Sequence, residues 1–230
     1  MNLQICVPYQ KCVYNCPMCI ARNHKHNYEF DNLYEKNRAE YLFALSKAVK
    51  EADDIVITGE CDPSQDMLFV RNIMQTILNN KKSGAKVEMQ THNYHIYIEN
   101  LNLDVLAYSI TNSKSYLKSH SFPKHAPINR IVILLTKEFE FLNKDNFDAM
   151  GFDQITFKTL QYGEDENINK WIDENKLKDL TNIYEIVEHY NGSNVSIRLD
   201  TSCQNAKGRY FVFRSDGLLY ENWEAKNPIK

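Results

Sequence analysis

The sequence predicts an α/β fold, a partial (βα)6 barrel carrying a C-terminal helix and β-hairpin extension. Apolar β-like runs alternate with helical segments over residues 1–165, in about six units of roughly 25 residues each. Such alternation favours a parallel sheet with helices outside it, and right-handed crossovers curl six units into a barrel or part of one. Residues 166–230 break the alternation and read as an extension packed on the same domain. The chain has 230 residues, 43% of them hydrophobic, enough for one large domain or two small ones with a sizeable core.

The elements follow in order. LQICVPY (3–9) is a first strand stopped by proline. YEKNRAEYLFALSKAVKEA (34–52) is a helix, with Leu42, Leu45 and Val49 at spacings of three and four. DIVITGE (54–60) is a buried strand, and PSQDMLFVRNIMQTILNN (63–80) a helix with proline in its first turn. KVEMQTH (86–92) alternates like a strand, YHIYIEN (94–100) reads as a short helix and LDVLAYSI (103–110) as a strand. Residues 112–118 fit one or two helical turns. NRIVILLT (129–136) and QITFKTLQ (154–161) are strands flanking a glycine-capped helix, NKDNFDAMG (143–151). INKWIDENKLKDLTNIYEIVEHYNG (168–192) reads as one or two helices, SNVSIRLD (193–200) as a strand, and RYFVFRSDGLLYENW (209–223) as a hairpin turning at Asp216-Gly217.

A formal charge of −3 gives no net electrostatic case for a nucleic-acid or anionic-membrane partner. MNLQICVPYQ lacks the basic region and apolar run of a signal peptide. No apolar run approaches the roughly 18 residues of a membrane span. The expectation is a cytoplasmic chain with a small-molecule partner.

Six cysteines stand at positions 6, 12, 16, 19, 61 and 203. In a reducing compartment clustered cysteines more often bind metal than form disulfides. Cys6, Cys12, Cys16 and Cys19 are enough for a tetrahedral zinc site, but Cys6 lies on the first strand, where a core role is more natural. The other reading is a [4Fe–4S] cluster held by Cys12, Cys16 and Cys19. Such clusters normally take four thiolates, so three leave one iron open to a ligand. The loop also follows the first strand, at the end where barrels place their chemistry.

The spacing Cys12-x-x-x-Cys16-x-x-Cys19 after a first strand resembles the signature of the radical S-adenosylmethionine enzymes. The resemblance implies that the three thiolates hold a [4Fe–4S] cluster whose open iron chelates the methionine amine and carboxylate of S-adenosylmethionine. An electron from the reduced cluster, delivered by a partner such as flavodoxin or ferredoxin, then cleaves the C5′–S bond, and the 5′-deoxyadenosyl radical takes a hydrogen atom from the substrate. Further residues match. Thr58, Gly59 and Glu60 in TGECDPSQD (58–66) resemble the family's Gly-Gly-Glu-Pro segment, which meets the methionine amine. Ser109 resembles the serine near the ribose, and Met18 stands where an aromatic residue usually touches adenine. QTHN (90–93) resembles a Thr-Asn-Gly turn with His92 inserted.

Strand parity adds a substrate expectation. Val87, Met89 and Thr91 share one face of their strand, leaving Lys86, Glu88, Gln90 and His92 for the interior. By the same alternation Lys158 and Arg198 point inward. Polar groups in a barrel interior need each other or a ligand. Lys158 and Arg198 are therefore the candidate catalytic residues, gripping a small, polar, anionic substrate such as a nucleotide or nucleobase-like precursor, with Arg214 as a third cation. Glu88 and Asp200 are the alternative partners inside the protein. His24, His26, Tyr162, Cys61 and Cys203 are minor candidates. Two rivals remain: an activating enzyme for a glycyl-radical partner protein, disfavoured because the C-terminal extension, with its hairpin, is expected to close the barrel mouth, and a zinc-stabilised binding module.

Overall fold

A computed structural model describes residues 1–8, 12–14, 16, 19, 31–96, 98, 101–136, 151–159, 166–181, 184–188, 194–201, 210–223 and 225–229. Met18, His24, His26, Tyr162, Cys203 and, of the helix expected over 143–151, all but Gly151 lie outside the described residues. In chain order the strands are β1 (Asn2–Val7), β2 (Asp54–Gly59), β3 (Lys86–Thr91), β4 (Val105–Ile110), β5 (Ile128–Leu134), β6 (Gln154–Lys158), β7 (Glu185–Glu188), β8 (Asn194–Asp200), β9 (Phe211–Phe213) and β10 (Leu219–Tyr220). The helices are α1 (Leu33–Lys36), α2 (Arg38–Lys50), α3 (Met67–Asn80), α4 (Ser113–Leu117) and α5 (Glu166–Glu174). The fold is α/β with mostly parallel pairing. Two compact units divide the chain: Met1–Asn93 with Ile98–Val105 and Ala206–Lys230, and Tyr94–Tyr97 with Leu106–Asn205. The expected core (1–165) and extension (166–230) thus each contribute to both units.

In the first unit β1, β2 and β3 run parallel, in register from Asn2↔Asp54 and Asp54↔Lys86. Leu3, Ile5, Ile55, Ile57, Val87 and Met89 are fully buried and share one face. That face looks onto the helices: Phe213, paired with Ile5, meets the α2 residue Tyr41 at 5.3 Å between ring centroids, and Tyr41 meets Phe69 of α3 at 5.9 Å. Each such apolar side chain contributes about 1.5–3 kcal/mol. The opposite face carries Gln4, Cys6, Thr58, Glu88 and Gln90. Cys6 is a core residue there, packed with Val212, Tyr220, Trp223 and Ala225.

The expected hairpin forms around Asp216 and Gly217, with β10 antiparallel to β9. Its place differs from a cap. β9 pairs parallel with β1, so the hairpin extends the sheet at that edge. Asparagine and aspartate divide the helical stretches. Asn37 ends α1 and caps α2, its side chain exchanging hydrogen bonds with the backbone and carboxylate of Glu40. The helix expected over 63–80 begins as a 3₁₀ turn, Pro63–Gln65, capped by Asp62, and Asp66 then caps α3.

Gly59 has φ +144°, and a Cβ there would stand 2.5 Å from the backbone nitrogen of Val7. Both the conformation and the packing of β2 on β1 require glycine. Gly59→Ala is expected to destabilise the fold by about 3 kcal/mol or more, read from the urea midpoint. An unchanged midpoint would contradict this reading of the β1–β2 contact.

In the second unit the strand order is β4-β5-β6-β8-β7, with β5, β6 and β8 mutually parallel and β7 antiparallel to β8. Ile131, Ile133, Ile155, Phe157, Val195, Ile197 and Leu199 are buried on one face. It looks onto α5, where Trp171 meets Phe157 at 5.4 Å. The helical reading of 168–192 is corrected in its second half: a 3₁₀ turn, Leu177–Leu180, leads to the edge strand β7. TNIYEIVEH fits a helical period and a two-residue alternation alike, and pairing with β8 decides for the strand. The helix expected over 94–100 starts instead as a turn at Tyr94 and His95, and residues 97, 99 and 100 lie outside the described residues.

Candidate functional site

β1, β2 and β3 are parallel, so Val7, Gly59 and Thr91 all stand at one end of the first unit's sheet. The cysteine loop, the 60–66 segment and His92 follow these ends, where open α/β sheets bind ligands. The loop turns through a hydrogen bond from Cys19 N to Cys16 O at 3.1 Å. It is tied to the next segment by Val13 N donating to Gln65 Oε1 at 3.2 Å, and Cys61 donates its S–H to Pro8 O at 3.3 Å.

Asp62 organises this end of the sheet. Its Oδ1 accepts from Ser64 N at 2.9 Å and Thr91 Oγ1 at 2.6 Å, and its Oδ2 accepts from His92 N at 2.6 Å. One buried carboxylate thus joins the ends of β2 and β3, and each such charge-assisted bond contributes about 1.5–3 kcal/mol. The His92 ring lies between Asp62 and the cysteine loop. Nε2 is 3.7 Å from Cys16 Sγ, Nδ1 is 3.8 Å from Asp62 Oδ2, and the ring centroid is 5.9 Å from that of Tyr14. Burial lowers the His92 pKa, against the pull of Asp62.

Cys12, Cys16 and Cys19 are half-buried and form no disulfide among the described residues. Burial, the Cys19 and Cys12 thiols and Asp62 push the Cys16 thiol up to about 11. A positively charged metal group deprotonates the thiols that ligate it, which would offset this cost at Cys16. Among the described residues no three His, Cys, Asp or Glu side chains are gathered closely enough for one metal ion. A single zinc needs its thiolates on a common point, with Zn–S about 2.3 Å. A [4Fe–4S] cluster takes one thiolate per iron, and three thiols on one loop are the donor type it uses.

Thr58 is half-buried on β2 opposite Cys6. Glu60 is only 2% exposed, and its Oε1 has no hydrogen-bond partner among the described residues. Burial pushes its carboxyl up to about 7, with Arg214 opposing and Asp216 assisting. An orphaned buried carboxyl oxygen is a fit place for a cationic ligand group. The acid acting on the Cys16 thiol, however, is Asp62.

Ser109, Lys158 and Arg198 belong to the second unit. Ser109 alternates on β4 with Tyr108, whose ring packs against Phe122 and Phe152, so the serine takes the other face. Its carbonyl accepts from Tyr94 Oη at 3.0 Å. Lys158 and Arg198 stand on the face opposite Ile155 and Phe157, as parity expected, with Lys158 in register with Asp200. Lys158 Nζ and Arg198 Nη2 each lie 4.0 Å from Asp200 Oδ2. Arg198 also stacks over the Tyr184 ring at 4.7 Å, and Arg130 approaches the same ring at 5.4 Å. Tyr184 Oη and Thr156 Oγ1 share a hydrogen bond of 2.9 Å. Arg214, the third cation, lies in the first unit beside Tyr220 at 4.4 Å, donating to Trp223 O at 2.6 Å.

Sequence reasoning missed Asp62, Arg130 and Tyr184. Asp-Pro before a helix signals a cap, but not the partners 29 and 30 residues onward. No family model and no curated protein matches the chain. Among the described residues no helix is long and apolar enough to cross a membrane.

Proposed function

We propose that this chain is a radical S-adenosylmethionine enzyme on a partial (βα)6 barrel, with Cys12, Cys16 and Cys19 each holding one iron of a [4Fe–4S] cluster. The observation that carries this reading is the three-thiol loop after β1, beside the ends of β2 and β3. Once reduced by a flavodoxin- or ferredoxin-like donor, the cluster supplies the electron that splits S-adenosylmethionine and yields the hydrogen-abstracting 5′-deoxyadenosyl radical. The chain's own residues bind and orient. Glu60 offers its unpaired oxygen to the methionine ammonium, Thr58 and Gly59 bring backbone alongside, Ser109 serves the ribose and Met18 the adenine. Lys158 and Arg198 hold a small, polar, anionic substrate such as a nucleotide or nucleobase-like precursor. Anaerobic purification with iron and sulfide analysis, followed by an assay for 5′-deoxyadenosine under a strong reductant, tests the reading. A chain that takes up no iron and sulfide would refute it.

The activating-enzyme reading keeps one observation in its favour, because the strands of the hairpin extend the sheet beside β1. Stimulation of S-adenosylmethionine cleavage by a nucleotide, and not by a protein fraction, separates the two.

Glu60 gives a pH test needing no cofactor. The folded carboxyl keeps its proton up to about 7, whereas the free group releases it near 4.5. Between these values the folded state binds more protons than the unfolded one, so stability falls as pH rises through this window. Glu60→Gln is expected to be more stable than the parent at pH 8, by at most about 3 kcal/mol, with the gain vanishing towards pH 4.5. Urea titrations at the two pH values check it, and an equal difference at both would remove Glu60 as the source.

A further inference from the structure

We infer that His92, positioned by Asp62, donates a hydrogen bond to the Cys16 sulfur and thereby raises the reduction potential of the cluster. The inference rests on the proposed function and adds a positioning residue outside the cysteine motif. His92 stands where the resemblance expects a plain Thr-Asn-Gly turn, so the imidazole is a feature of this chain.

Three contacts fix the ring. Its backbone nitrogen donates to Asp62 Oδ2 at 2.6 Å, its Nδ1 edge faces the same oxygen at 3.8 Å, and Tyr14 lies beside its face with centroids 5.9 Å apart. Asp62 is itself held by Ser64 N and Thr91 Oγ1. The remaining edge, Nε2, points to Cys16 Sγ at 3.7 Å, within the longer reach of sulfur. A thiolate bound to iron can only accept a hydrogen bond, so with metal present the hydrogen sits on Nε2. A donor there draws negative charge from the sulfur, and the reduced cluster, with one more electron, gains more from it than the oxidised one. Hydrogen bonds to the ligand sulfurs are among the levers that set such potentials, and partners behind metal ligands commonly tune them.

The experiment compares the full chain with His92→Ala and His92→Gln, each reconstituted anaerobically with ferrous iron and sulfide. Iron and sulfide content is measured first, then the midpoint potential by titration followed by electron paramagnetic resonance. His92→Ala is expected to keep its cluster. Its reduced-to-oxidised ratio at a fixed potential should fall about threefold to tenfold, a tenfold fall being about 59 mV for one electron. His92→Gln retains an N–H donor and should recover part of the shift. An unchanged midpoint in a fully loaded His92→Ala protein overturns the inference. So does loss of iron from both variants, which would make His92 a structural residue or a ligand. A parent chain that takes up no iron instead refutes the proposed function, and this inference with it.

Discussion

Replacing Cys16 with alanine is expected to abolish both the [4Fe–4S] content of the reconstituted protein and the formation of 5′-deoxyadenosine, and Cys12→Ala and Cys19→Ala should do the same. Three thiolates already leave one iron open, and with two the cluster loses a corner that neither Cys6 nor Cys61, the other cysteines among the described residues, is placed to replace. Cys6 is fully buried against Val212 and Tyr220, its thiol pushed well above the usual range by burial. Cys61 is buried and donates to the Pro8 carbonyl. Cys6→Ala should therefore keep the cluster, and it removes only a small apolar group, at a cost of about 1–2 kcal/mol. Full iron and sulfide content in Cys16→Ala would refute the assignment, and loss of the cluster in Cys6→Ala would point to a site that includes the β1 thiol. Melting curves of the metal-free proteins keep these outcomes apart from unfolding.

How far the sequence could be read follows from where each signal resides. β1, β2, β3, β4, β5, β6 and β8 were legible as short apolar runs or alternation bounded by turn residues, and alternation also sets Lys158 and Arg198 on the face opposite Ile155 and Phe157. Boundaries set by single polar residues were blurred: Asn37 splits one helical period into α1 and α2, and Asp62 and Asp66 divide the next. β7 was hidden because its identity rests on pairing with β8, a tertiary fact. Gly59 was singled out for the approach of a ligand, yet the β1 backbone alone requires it. Asp62 was hidden for the opposite reason. Its sequence neighbourhood explains one hydrogen bond completely and gives no sign of those from Thr91 and His92. Tyr184 likewise meets Thr156, Arg198 and Arg130 only through the sheet.

Arg198→Ala is expected to keep the slow, substrate-independent cleavage of S-adenosylmethionine while losing its stimulation by the anionic substrate. Lys158 and Arg198 both face the carboxylate of Asp200, and at 4.0 Å neither contact is a close hydrogen bond. Arg198 Nε is also buried without a partner among the described residues. An unmet buried donor costs about 1–3 kcal/mol, which a carboxylate or phosphate oxygen would restore on binding. The Tyr184 face under the guanidinium fixes its plane, so the donors are held ready for a planar, two-point grip. Losing such a contact costs about 2–5 kcal/mol, so half-maximal stimulation should require at least about 30-fold more of the nucleotide that activates the parent. Asp200→Asn separates this from a structural ion pair. If the pair holds the fold, both variants lower the urea midpoint alike. If the cations hold a substrate, Asp200→Asn removes a competitor for them, and the activating nucleotide should then work at lower concentration than in the parent.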